Sequence, residues 1–243
     1  TCDLVSYGCT ANAMHPDVHQ QMGYDPTPPA ENDPENTSIS PDGKWLAYTT
    51  KYNIFLRSED GLQDIPLTWD GSEGNYYAFS TLRWSPDSRH LAAYRIRPGH
   101  KRQIHYIESS PTDELQPRYS TMTYPKPGDA LPLLQPVLFD IIMQSKIEID
   151  NASFPNPYHL SPIKWWKDGR GFTFEYNQRG HQLYRLVEVE AAAGKVRSLI
   201  DERSITFIDY QPLVIDQQKT GKFFRYDVED GKERDQPQQA GRD

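Results

Sequence analysis

Ser40-Pro41-Asp42-Gly43-Lys44-Trp45-Leu46-Ala47-Tyr48 is the stretch that decides the fold. Pro-Asp-Gly makes a tight turn for three separate reasons. Proline presets φ, aspartate bonds back to the backbone, and glycine accepts positive φ. An apolar, aromatic strand follows at once. The unit returns as Ser85-Pro86-Asp87-Ser88-Arg89 before His90-Leu91-Ala92-Ala93-Tyr94, and more weakly as Trp166-Lys167-Asp168-Gly169-Arg170 before Gly171-Phe172-Thr173-Phe174-Glu175-Tyr176. The three aspartates lie 45 and then 81 residues apart, one repeat and then two.

Outward from each turn the pattern continues. Three residues before the aspartate stands a bulky anchor, Ile39, Trp84 or Trp165, that ends an innermost strand. A second strand follows each turn strand: Asn53-Ile54-Phe55-Leu56, Ile104-His105-Tyr106-Ile107 and Gln182-Leu183-Tyr184-Arg185-Leu186. Ile65-Pro66-Leu67-Thr68 and Val196-Arg197-Ser198-Leu199-Ile200 supply a further β-like piece. One such unit cannot bury both faces, so neighbours must stack. The pattern predicts an all-β chain, a β-propeller of four-stranded antiparallel blades. Three coincidental turns in a β-sandwich would lack the matching strands. At about forty-five residues per blade the chain holds about four to five blades.

Pro111 to Pro136 breaks the period, and Val137-Leu138-Phe139-Asp140-Ile141-Ile142 then reads as a buried strand, giving an enlarged blade or a long insertion. The expected organisation is an N-terminal segment or linker over 1–37, blades over 38–210, and a partial blade with a disordered tail over 211–243. In that tail Lys222-Phe223-Phe224-Arg225-Tyr226-Asp227-Val228 reads as a strand.

Composition agrees with strands and turns: 20 prolines, 15 glycines and 15 tyrosines in 243 residues. A formal net charge of −8, with both signs intermixed, argues against a nucleic-acid surface, which needs a basic face. No apolar run is long enough to span a membrane. The chain begins at Thr1 without a visible signal peptide, as expected of a processed protein or a fragment. Cys2 and Cys9 form either a short-loop disulfide or two free thiols. The sequons at Asn36 and Asn151 matter only in a eukaryotic secretory protein. His15 and His19 have helical spacing but lie beside Pro16, so no metal site is assigned, and no cofactor is expected.

Four pieces together resemble the N-terminal propeller of the dipeptidyl peptidase IV / prolyl oligopeptidase family of serine peptidases. They are residues 40–48, Leu67-Thr68-Trp69-Asp70-Gly71, Leu82-Arg83-Trp84-Ser85-Pro86-Asp87-Ser88 and Tyr124-Pro125-Lys126-Pro127-Gly128. The last, following a Trp-Ser-Pro blade, is the discriminating piece. The resemblance implies an eight-bladed propeller over an α/β-hydrolase domain with a Ser–Asp–His triad. It implies a peptide substrate and a secreted or periplasmic setting, and a dimer is a further expectation. No Gly-x-Ser-x-Gly nucleophile elbow occurs in this chain, so it has no catalytic residue of its own to nominate.

In the aminopeptidase branch, adjacent glutamates bind the free amino terminus of the peptide. Counted back from Trp84-Ser85-Pro86, that pair falls on Glu73 and Gly74, so one carboxylate is kept and one lost. Glu73 is the candidate substrate-binding acid, with Tyr76 and Tyr77 as lining residues; the plain alternative is a solvated loop acid beside two blade anchors. The competing function is a free-standing propeller of the Tol-system type that binds a protein or peptide. A glycan-active propeller ranks last, because the inner strands carry no regular acids beyond the turn aspartates.

Overall fold

The computed structural model describes residues 37–208 and the backbone of three short strands beyond them. The expectations for Cys2, Cys9, His15, His19, Asn36 and residues 236–243 lie outside the described residues. Blade 1 is a sheet in the order β1 (Ser38–Ile39), β2 (Trp45–Thr50), β3 (Asn53–Ser58), β4 (Asp64–Pro66). Blade 2 has an inner position split into β5 (Tyr76–Tyr77) and β6 (Arg83–Trp84), which both pair with β7 (His90–Arg97) around a 3-10 turn, Phe79–Thr81.

After β7 the chain leaves the blade. β8 (Gln103–Glu108) and β9 (Arg118–Thr123) form a separate two-stranded hairpin, and the chain returns as β10 (Leu133–Asp140) and β11 (Ser145–Ile147). Blade 3 repeats the split with β12 (Pro157–Leu160) and β13 (Lys164–Trp165) on β14 (Gly171–Gln178), followed by β15 (Leu183–Glu190) and β16 (Val196–Arg203). A three-stranded sheet, β17 (Leu213–Ile215), β18 (Phe223–Tyr226) and β19 (Glu233–Asp235), completes the described chain.

All described sheets pair antiparallel, and three complete blades and one three-stranded sheet occupy the length read as four to five blades. The difference lies between β7 and β10. Ile104–Ile107, read as the second strand of blade 2, belongs to the inserted hairpin, and β10 takes the blade position instead.

The three turns share their backbone bond and the aspartate's bond to the N–H two residues on, while the serine side-chain bonds of the first two have no counterpart at Trp166. Gly43, Ser88 and Gly169 donate their backbone N–H to Ser40, Ser85 and Trp166 carbonyls, and each takes positive φ, 77°, 60° and 71°. Serine resists that conformation. Ser88 is compensated across the seam, where its Oγ accepts the Asp42 backbone N–H at 3.0 Å. The anchors also repeat. Trp84 Nε1 donates to the Ser38 carbonyl of blade 1 at 3.1 Å, and Trp165 Nε1 to the Arg83 carbonyl of blade 2 at 2.9 Å. Ile39 ends the inner strand of blade 1 without an N–H to give.

Both faces of blade 2 are interior. Along β7 and β10, Leu91, Ala93, Val137 and Phe139 pack towards blade 1, while Ala92, Tyr94, Ile96 and Leu138 pack towards blade 3. That is the period-two alternation of a strand with apolar residues at both phases.

The hairpin is held at its root. Arg102 forks onto Asp129 at 2.8 and 2.6 Å, and the Lys126 backbone N–H reaches the same carboxylate at 2.7 Å. The Arg102 guanidinium, then that N–H, hold the Asp129 carboxyl well below the usual carboxylate range. A depressed folded value means the clasp is fully effective above aspartate's ordinary pKa and is lost only as pH falls through the depressed one. Arg102→Ala is therefore expected to raise amide exchange of β8 and β9 several-fold at neutral pH while leaving β7 and β10 protected. Unchanged exchange in the hairpin would show that the clasp does not hold it.

Candidate functional site

Blade 1 ends in Thr68-Trp69-Asp70-Gly71, and the crossing to blade 2 is pinned before it turns. Asn53 Oδ1 accepts the Thr68 hydroxyl at 3.0 Å and the Gly71 backbone N–H at 2.8 Å. Ser72 and Asn75 then exchange both backbone bonds, at 2.8 and 2.9 Å, which leaves Glu73 and Gly74 as the two-residue tip. Glu73 is exposed.

Beneath the tip lies a polar clamp. Tyr77 Oη donates to Asp70 Oδ1 at 2.8 Å. Arg95 pairs with Asp70 Oδ2 at 2.9 Å and donates to the Asp70 carbonyl at 2.9 Å. Its guanidinium carbon lies 5.8 Å from the Tyr77 ring centre. Burial first, and then the Asp70 carboxylate, push the Tyr77 phenol well above its ordinary pKa, so it is a standing donor. The Tyr77 backbone N–H reaches the Tyr52 carbonyl at 3.1 Å. That carbonyl belongs to a turn in which Lys51 and Tyr52 take positive φ, 46° and 68°, a costly conformation for residues other than glycine.

Glu73 stands at an accessible loop tip. Tyr76 and Tyr77 do not stand beside it as surface rings. They are 1% and 0% exposed, and adjacent positions on β5 send them into opposite seams, Tyr76 towards blade 3 and Tyr77 towards blade 1. Direct lining by these rings is corrected to anchorage, with Tyr77 also positioning the clamp. Sequence reasoning passed over Asp70 and Arg95, whose engagement depends on a contact between blades.

A second feature occupies the same end of blade 2, on its other side. A cavity of about 300 Å³ opens between blades 2 and 3, and Arg97 and Arg179 are among its lining residues. Among the described residues, no group of His, Cys, Asp or Glu is arranged to hold a metal ion, and no helix is long and apolar enough to cross a membrane.

Comparison with known proteins bears on the chain as a whole. The family described as dipeptidyl peptidase IV (DPP IV) N-terminal region matches residues 7–234. Dipeptidyl peptidase 4 of Felis catus is 29% identical over 167 residues, 58% of this chain and 22% of that protein. The Sus scrofa protein of the same name is 29% identical over 122 residues, 43% of this chain and 16% of that protein. The crystal structure of Porphyromonas gingivalis dipeptidyl peptidase 4 superposes with a TM-score of 0.56 at 16% identity, covering 80% of this chain and 29% of that one. The chain thus spans less than a third of the length of each of these proteins.

Proposed function

The chain belongs to the family of dipeptidyl peptidase IV N-terminal regions, and from that premise we propose that its blades gate and position peptide substrates for an α/β-hydrolase domain of the same parent protein. The blades supply walls and a binding group; the hydrolase domain supplies the nucleophile. A secreted or periplasmic setting belongs to the same reading.

One observation carries it: Glu73 is held at the tip of a stapled turn whose base is fixed by Asp70, Tyr77 and Arg95. Asp70 already has two donors on its carboxylate, whereas Glu73 is presented to solvent, a suitable anion for a peptide ammonium. The missing second glutamate makes that hold weaker than a paired one, and strict release of dipeptides does not follow from it.

In the parent enzyme, Glu73→Ala is expected to weaken peptides with free amino termini by roughly tenfold to a hundredfold, ~1.5–3 kcal/mol for a charged hydrogen bond. N-acetylated peptides should lose little. Competition binding with matched free and acetylated peptides makes the measurement, and equal losses for both would reduce Glu73 to a loop acid.

A further inference from the structure

The blades can be compared position by position just after their turns. Ser40, Ser85 and Trp166 donate their backbone N–H to the carbonyls of Trp45, His90 and Gly171, so these three residues are equivalent. In the first seam Trp45 and Trp84 both pack on the apolar cluster between blades 1 and 2. In the second seam an imidazole takes the place of that indole. His90 is half-buried and faces Trp165, with ring centres 6.3 Å apart. Trp165 is the anchor whose Nε1 ties this seam to the Arg83 carbonyl. The second seam also differs at the turns. Ser88 Oγ accepts the Asp42 N–H across the first seam, but its counterpart in blade 3 is Gly169, which has no hydroxyl. The Asp87 carboxylate packs over that glycine, where a Cβ would lie 3.1 Å from its Cγ.

We infer that the seam between blades 2 and 3 is loosened by acid, with His90 as the group that senses it. His90 Nδ1 is enclosed and has no hydrogen-bond partner. A neutral imidazole leaves that nitrogen as a bare lone pair, whereas a charged one must place an N–H there with no acceptor. The charged groups around the ring are divided. Asp87, on the turn before it, and Asp140, opposite it on β10, favour the charge, and Arg89 opposes it. Arg83, on β6, gives its guanidinium to the Ser80 and Leu82 carbonyls. Blade 3 presents the uncharged Trp165, and on its turn Asp168 and Arg170 are closed on each other at 2.7 Å. The Trp165 ring stands just beyond the ~6 Å over which a ring face attracts a cation. Burial outweighs the two carboxylates and holds the His90 pKa below its ordinary value. A depressed folded value means that the ring's contribution is complete above histidine's ordinary pKa and is lost as pH falls through the depressed one. Once charged, the ring is satisfied only by leaving the seam for water, and Trp165 loses its neighbour. The device is independent of the Glu73 loop, which meets the other end of β7 through Tyr77 and Arg95.

The two indole bonds let each seam be read separately. In the full chain, exchange of the Trp84 and Trp165 indole N–H groups is followed by NMR and divided by the exchange of free tryptophan at the same pH. From pH ~7.5 to ~5.5, either side of histidine's ordinary pKa, protection of Trp165 should fall several-fold while that of Trp84 stays constant. His90→Phe keeps a ring against Trp165 without a titrating group, and its Trp165 protection should be the same at both pH values. Constant Trp165 protection in the unsubstituted protein, or an equal fall at both indoles, would overturn the inference. A fall that persists in His90→Phe would place the titration on another group, such as the buried His159, and would overturn it too. Should His90→Phe fail to fold, the imidazole titration of His90 in the unsubstituted protein decides. A midpoint below histidine's ordinary value, matching the loss of Trp165 protection, upholds the switch, and a midpoint at or above that value overturns it.

Discussion

Phe174→Ala is expected to cost ~3–5 kcal/mol of stability, the range for removing a fully buried aromatic side chain. Phe174 is 1% exposed in the seam between blades 2 and 3. Its ring meets Phe154 edge-on at 5.3 Å and Tyr94 at 6.3 Å, with Phe172 alongside. Tyr94 cannot move in to fill the void, because its hydroxyl is tied to the Ser161 carbonyl at 2.7 Å. The cavity term therefore adds to the lost transfer energy. Urea unfolding should show a lower midpoint with an unchanged slope. Phe55, half-buried against Tyr48 in blade 1, provides the comparison, and Phe55→Ala should cost clearly less. A loss below about 1 kcal/mol for Phe174→Ala, the level of an ordinary point substitution, would show that this seam does not carry the core.

The second large effect is expected at Gly71. A Cβ there would lie 2.2 Å from the Tyr52 carbonyl oxygen and 2.6 Å from its carbon. That carbonyl has little room to retreat, since it accepts the Tyr77 N–H and belongs to the Lys51–Tyr52 turn. Gly71→Ala must therefore shift the 70–75 loop, with an overpacking cost of ~1–3 kcal/mol. The Asp70 clamp and the position of Glu73 go with it. The melting temperature should fall and the free-amine preference should vanish together, whereas Glu73→Ala should abolish the preference at an unchanged melting temperature. Gly74→Ala is the control, because nothing lies within 4 Å of a Cβ at the tip. A Gly71→Ala protein that keeps both stability and preference would show that the loop is not the fixed platform described.

What could be read from sequence was what is local. The Pro-Asp-Gly turn and its variants Pro86-Asp87-Ser88 and Lys167-Asp168-Gly169, their spacing and the anchors before them specify their geometry within a few residues, and all three recur. The fate of Ile104–Ile107 was not legible, because alternation marks a strand without naming its partner. Pro136 hid the true partner, β10. It lies opposite Tyr94, on a stretch that β11 does not cover, since their register begins at Leu138 and Ile147. A proline is tolerated on such a free edge, but in the sequence it reads as a break. The tyrosines failed for a related reason. Next to a candidate acid they look like a binding surface, yet in a blade with two interior faces consecutive residues are both buried. Asp70 and Arg95 meet only after blades 1 and 2 dock.

The indole bonds share one direction. In each of the two described seams the indole donor is carried on the later blade and received by a carbonyl of the earlier one, while Asp42 to Ser88 and Tyr94 to Ser161 bond in the opposite sense. Changing Trp84 edits one joint and leaves the next to Trp165, which makes the two seams separately tunable. The hairpin from Gln103 to Thr123 is inserted between strands β7 and β10, away from both fasteners. The sequence there could be lengthened, shortened or recharged without loosening either indole link, and new surface can be acquired at that point while both seams stay as they are.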